Sequence, residues 1–140
     1  MTQTRIYLPL GAADVRRLVE SRELGPAPLD AFAVTERLER SLPTGDEEEW
    51  EYAAQSEAVV AAGDCRESPR DKRVVAAADV DPDWVDARPR EESLAGVRVT
   101  EPVPLSRIAS FHIDAEPGAI GTEDLLWYDA TELDEVARLL

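Results

Sequence analysis

His112 is the only imidazole in the 140-residue chain, and Asp114 follows two residues later. On an extended strand that spacing puts both side chains on one face, where a carboxylate can orient a histidine as a general base. Glu57 is the third residue of interest. It projects into the small-residue face of a predicted helix, and an unpaired carboxylate is costly in apolar surroundings. It must therefore be paired, with Arg22 of another apolar stripe as one partner, or be protonated, or open onto a cleft. A carboxyl held protonated there would serve as a general acid. Glu57, His112 and Asp114 together outline an acid/base cleft of hydrolytic type. Against it, residues two apart on a strand are ~7 Å apart, and no Gly-x-Ser-x-Gly elbow supplies a nucleophile.

Other chemistry-bearing residues point to less. Asp79 lies near the end of an apolar run, where open α/β sheets bind ligands but where aspartates also cap turns. Asp79, Asp81 and Asp83 are spaced like the start of a calcium loop, yet Pro82 interrupts them and neither the following Gly nor the distal Glu is present. No phosphate-binding or dinucleotide-binding glycine pattern occurs. No metal and no cofactor is therefore expected. Cys65 is the single cysteine, so no intrachain disulfide can close, and no Cys/His spacing suits zinc. Trp127-Tyr128 reads as core and rim of a strand, or as the lining of a pocket.

These residues need elements to position them. Alternation in residues 5–10 predicts a strand, with Pro9 marking a sheet edge or strand terminus. A helix follows between Gly11 and Glu23, stopped by Gly25-Pro26-Ala27-Pro28. Residues 31–34 form a short strand and 36–42 a brief helix. Thr44 with Glu47 fits a capping box opening a helix to about Ala62, with Trp50, Ala54, Ala58 and Ala61 inward and Tyr52 and Val59 outward. Val74 to Val80 is apolar without alternation, as in a strand covered on both faces, and is expected at the centre of the sheet. Residues 84–93 read as irregular, 96–100 as a strand, 102–105 as a connector, 108–114 and 125–128 as strands, and 131–140 as a closing helix. The expected fold is α/β or α+β, one domain over residues 1–140, with a single mixed sheet and helices packed against it.

Charge narrows the function. Thirty Asp and Glu against 15 Lys and Arg give a net charge of −15, which disfavours nucleic acid and anionic lipid as direct partners. The excess is local. Residues 46–67 hold eight carboxylates against Arg66 alone, and residues 114–140 hold eight against Arg138 alone, whereas residues 1–45 are balanced at six each. Asp46, Glu47, Glu48, Glu49 and Glu51, with Glu132, Asp134 and Glu135, make a candidate docking surface for a basic protein. They form one face only if the two helices lie side by side. On opposite sides of the sheet, the charge would serve solubility.

The segments at residues 5–10, Gly25-Pro26-Ala27-Pro28 with Ala33-Val34-Thr35, Asp46 to Ala54, Arg73 to Val80, Pro104 to Asp114 and Leu125-Leu126-Trp127-Tyr128 span most of the chain. As a set they resemble a small uncharacterised family of acidic actinobacterial proteins. The resemblance implies no activity, cofactor or catalytic residue. It implies a bacterial, cytoplasmic protein, and a GC-rich genome as the reason that Lys72 is the only lysine. With no apolar signal core and no stretch long enough for a membrane span, the expectation is a soluble interaction or regulatory module with an acidic docking surface. The alternative is the small hydrolase-like enzyme built on Glu57, His112 and Asp114.

Overall fold

The computed structural model describes residues 2–86 and 93–140. In chain order the elements are β1 (Thr4–Leu10), α1 (Ala12–Ser21), β2 (Glu23–Leu24), β3 (Leu29–Ala33), α2 (Glu36–Ser41), α3 (Glu47–Ala62), β4 (Val74–Val80), β5 (Val85–Asp86), β6 (Gly96–Val99), β7 (Val103–Pro104), β8 (Ile108–Ile113), β9 (Leu126–Asp129) and α4 (Leu133–Leu139). Seven strands form one sheet in the order β5-β6-β3-β1-β4-β8-β9, and β2 pairs separately with β7. The fold is α+β.

Every strand pairing in the large sheet is antiparallel, so it is not a mixed sheet. A parallel unit would need a helix to carry the chain back to the starting end of the sheet. Here the Gly25-Pro26-Ala27-Pro28 turn after α1 and β2 reverses the chain again, and β3 enters beside β1 in the opposite sense. The middle position belongs to β1, with β4 next to it. Pro9 is tolerated there because β1 pairs with β3 only at Ile6 and Tyr7, leaving Pro9 with β4 as its registered neighbour. Trp84 to Asp86 is less irregular than expected, since Val85 and Asp86 pair with β6. Residues 87–92 of that expected irregular stretch lie outside the described residues.

Alternation sorts the side chains into two cores. On one face, Ile6, Leu8 and Leu10 of β1, Val74, Ala76, Ala78 and Val80 of β4, and Phe111 and Ile113 of β8 pack beneath α1 (Val15, Leu18) and α4 (Leu133, Val136). On the other, Tyr7, Val75 and Ala77 pack with Ala54, Ala58, Val59 and Ala62 of α3 and Leu38 of α2. This explains the unbroken apolar run of β4, which is covered on both faces. Helix α3 approaches the sheet through alanines. It is turned slightly from the expected orientation: Val59 is buried, whereas Tyr52 is outward as expected. Its cap is Asp46, whose Oδ1 accepts the Glu49 N–H at 2.9 Å, in place of Thr44.

The two acidic helices thus lie on opposite faces of the sheet, α3 over one core and α4 over the other. The eight carboxylates proposed as a docking surface do not form one face. Several already have local work: Asp46 caps α3, Glu132 accepts the Asp129 N–H at 3.1 Å, and Glu135 pairs with Arg138.

Candidate functional site

The three residues of the expected acid/base cleft are held apart by separate partners. Glu57 reaches from α3 toward the start of β6, where its carboxylate accepts the Ser93 hydroxyl at 2.8 Å and the Ala95 N–H at 2.9 Å. It is paired as its burial required, though by a hydroxyl and an amide; Arg22 is the exposed left-handed cap of α1. Asp114 is 2% exposed and holds Arg73, 3% exposed, through Nε and a terminal nitrogen at 2.9 Å each and through the Arg73 backbone N–H at 2.7 Å. Arg73 also donates to the Gly121 carbonyl, tying the 114–124 loop to the base of β4. Strand β8 ends at Ile113, so the alternation that would align Asp114 with His112 has stopped. His112 shares its hydrogen bond with Ser110, Oγ to Nε2 at 3.1 Å. The cavity that His112 lines is lined by neither Glu57 nor Asp114.

What the fold does gather lies on the α3 side of the sheet. Antiparallel register places Arg5 opposite Asp79, Tyr7 opposite Ala77, Ala77 opposite Ser110, and His112 opposite Trp127. Helix α3 covers the apolar part of this face and stops short of the polar part, so its Glu48, Glu51, Tyr52 and Gln55 become the wall of a cavity of about 270 Å³. Arg5, Tyr7, Ser110 and His112 form its floor, and Trp127 the opposite rim.

Internal pairing sets the electrostatics. Arg5 binds Asp79 in a fork, 2.7 Å and 3.0 Å, which neutralises it locally and raises its pKa, with the Asp79 hydrogen bond as the main cause. Asp79 is therefore a cross-strand partner, and turn capping falls to Asp81, which accepts the Asp83 N–H at 2.9 Å. Tyr7, 4% exposed, has its phenol pushed up to about 12, first by burial and then by the Glu51 carboxylate. His112 is shifted down by burial and, secondarily, by Arg5, so it is neutral at pH 7. Among the described residues no carboxylate bonds to His112, and no group of three or more His, Cys, Asp or Glu is placed to hold a metal.

The sequence named His112, Glu48, Glu51 and Trp127 but not Arg5, Tyr7, Ser110 or Tyr52 as site residues. Their signal was present: Arg5 and Tyr7 alternate with Ile6 and Leu8, and Ser110 and His112 with Phe111 and Ile113, so each set marks the less apolar face of its strand. Only strand order joins them. A second cavity, of about 450 Å³, touches Ala33, Thr35, Arg37, Arg40 and Leu94. Val85, Gly96 and Val97 also line it.

Family comparison matches residues 4–137, nearly the whole chain. The chain belongs to DUF6912, a family of unknown function. No curated protein and no solved structure matches it. Membership therefore carries no activity to this chain, and the functional reading rests on the groove. Among the described residues no helix is long and apolar enough to cross a membrane.

Proposed function

We propose that this chain is a non-enzymatic interaction domain that docks a basic segment of a partner protein against the first half of α3 and the groove beside it. The observation that supports this reading is the meeting of unpaired carboxylates with exposed aromatic rings. Glu48 and Glu51 line the groove, while Tyr52 and Trp127 stand 55% and 61% exposed at its walls. Large exposed aromatics beside fixed charge are typical of binding surfaces, since they offer contact area at low entropic cost. Of the eight carboxylates first assigned to docking, the α3 group Asp46, Glu47, Glu48, Glu49 and Glu51 remains in this role. Glu132, Asp134 and Glu135, on the far side of the sheet, serve capping and solubility. A cytoplasmic setting, with Cys65 reduced, accords with a small intracellular adaptor. The hydrolytic alternative loses its basis once Glu57, His112 and Asp114 have separate partners.

A neutral Gly/Ser peptide of nine residues carrying three arginines is a suitable probe. Its affinity, measured by calorimetry, should fall steeply between 50 and 300 mM salt, as exposed charges are screened within roughly 10 Å or less. Combined Glu47→Gln, Glu48→Gln, Glu49→Gln and Glu51→Gln should weaken it about fourfold or more, at roughly 0.2–1 kcal/mol for each charge. Asp134→Asn with Glu135→Gln should leave it unchanged. Equal losses from both sets would show that net charge rather than the α3 face attracts the probe, and the proposal would fall; so would binding indifferent to salt.

A further inference from the structure

The groove is specific in what it leaves unpaired. Arg5 is engaged by Asp79, and Ser110 and His112 by each other. Among the described residues, Glu48, Glu51 and the Tyr7 hydroxyl have neither hydrogen-bond nor ion-pair partners within the chain. Tyr7 is 96% buried by its 4% exposure yet lines the cavity, so its hydroxyl opens toward the groove rather than into the core. Among the described residues no buried side-chain oxygen or nitrogen lacks a partner, so this hydroxyl is accessible to whatever fills the groove, water or ligand. The groups open to a ligand are therefore two carboxylates, the Gln55 amide, one phenol oxygen and two aromatic rings. A donor-rich cation can serve all of them, whereas an anion would find only the Gln55 amide and the Tyr7 hydroxyl and would be repelled by both carboxylates.

Resting on the docking role proposed above, we infer that this groove seats one arginine side chain of the partner protein. Its guanidinium lies against the Trp127 ring, donates to Glu48 and Glu51, and reaches the Tyr7 oxygen at the floor. The size supports a side chain: about 270 Å³ is below the roughly 300–1,000 Å³ of pockets that enclose drug-sized ligands or cofactors. The chemistry selects arginine over lysine. A planar guanidinium stacks on an aromatic ring while its five N–H groups serve several acceptors in different directions, whereas an ammonium is a compact and strongly hydrated point charge. A neutral His112 suits this occupant, because a second cation in the floor would repel it. Local neutralisation of Arg5 by Asp79 has the same effect.

The test uses the full chain, labelled with 15N, and three versions of the nine-residue Gly/Ser peptide bearing arginine, lysine or citrulline at the same three positions. The Trp127 indole N–H is assigned by its loss in Trp127→Phe. It should shift on adding the arginine peptide, which should bind several-fold tighter than the lysine peptide; the uncharged citrulline peptide should not bind measurably. Trp127→Ala should weaken the arginine peptide roughly two- to fivefold, the scale of an exposed cation–π contact. Tyr7→Phe, which keeps the ring and its packing, should weaken it about tenfold, as for a hydrogen bond to a charged group. Each variant's fold is verified by its amide spectrum. Equal binding of arginine and lysine, with no loss in Trp127→Ala or Tyr7→Phe, overturns the arginine seat. If the α3 Gln variant still weakens binding in that case, the broader docking role survives. Losses in Tyr7→Phe and Trp127→Ala without any in the α3 variant, which lacks the Glu48 and Glu51 carboxylates, would refute both the seat and the broader acidic face. Shifts confined to α4 would refute both.

Discussion

Replacing Asp114 with Ala removes the only acceptor among the described residues for the Arg73 Nε and backbone N–H, and one of two for its terminal nitrogen. Both partners are buried, at 2% and 3% exposure, so water cannot take over the lost bonds without opening the 114–124 loop. Removing one member of a buried ion pair costs about 3–5 kcal/mol because a charge remains uncompensated. For 140 residues, at an unfolding entropy of roughly 2.1 cal/mol/K per residue, that corresponds to a fall in Tm of about 10–17 °C. Calorimetry of Asp114→Ala reads this directly. Asp114→Asn keeps the shape and one acceptor and should fall between. The double variant Arg73→Met with Asp114→Leu should recover much of the loss, since an apolar pair of similar volume leaves no buried charge. If Asp114→Ala melts within about 3 °C of the parent, the pair does not anchor the loop and the reasoning fails.

Three further outcomes follow from other parts of the fold. Gly11→Ala should destabilise by about 1–3 kcal/mol in a urea titration, because a Cβ at that position would stand 2.5 Å from the Cys65 carbonyl oxygen, which is backbone and cannot rotate aside; an unchanged midpoint would mean that the 63–66 turn yields easily. Phe111→Ala, at a fully buried ring beneath α1 and α4, should cost about 3–5 kcal/mol, whereas Trp127→Ala at the exposed rim should cost under about 1 kcal/mol. The pH dependence follows from the lowered pKa of His112: below its ordinary value of 6.5 the unfolded chain binds a proton that the folded chain resists. Stability from this group is full above pH 6.5 and is lost as pH falls below it toward the folded value. Wild-type urea midpoints should therefore drop more between pH 7.5 and 5.5 than those of His112→Gln; parallel drops would show that His112 titrates alike in both states.

Much of the fold was legible in local patterns. Alternation identified β1 and β8 and divided their faces except at Ile108, which a register shift against Ala77 and Ala78 of β4 brings into the core of Phe111 and Ile113; the unbroken apolar run of β4 announced burial on both sides. Where reading failed, a tertiary contact overrode the local signal. Pro9 argued for a sheet edge or a strand terminus; it stands next to last in β1, which can be interior because β3 pairs only with Ile6 and Tyr7. Val59 was assigned outward by helical phase from Trp50. The pull of the second core turned it inward and left Trp50 half-buried at the end of α3. Thr44 was a plausible cap, yet Asp46 stands directly before the first helical residue and captured the Glu49 N–H.

Composition and periodicity by themselves determined the acidic character, the two acidic segments, the helices and the longer strands, and the requirement that Glu57 find partners. Those properties depend on residue type and on neighbours within a few positions. The tertiary structure alone decided that α3 and α4 face away from each other, which limits the charge on any one face. It also decided that Glu57, His112 and Asp114 are separate, and that Arg5, Tyr7, Ser110, His112 and Trp127 share a groove. The decisive contacts join residues 36 to 74 positions apart: Glu57 to Ser93, Arg73 to Asp114, Arg5 to Asp79. Such contacts follow from the order in which antiparallel strands assemble, and no local spacing encodes that order.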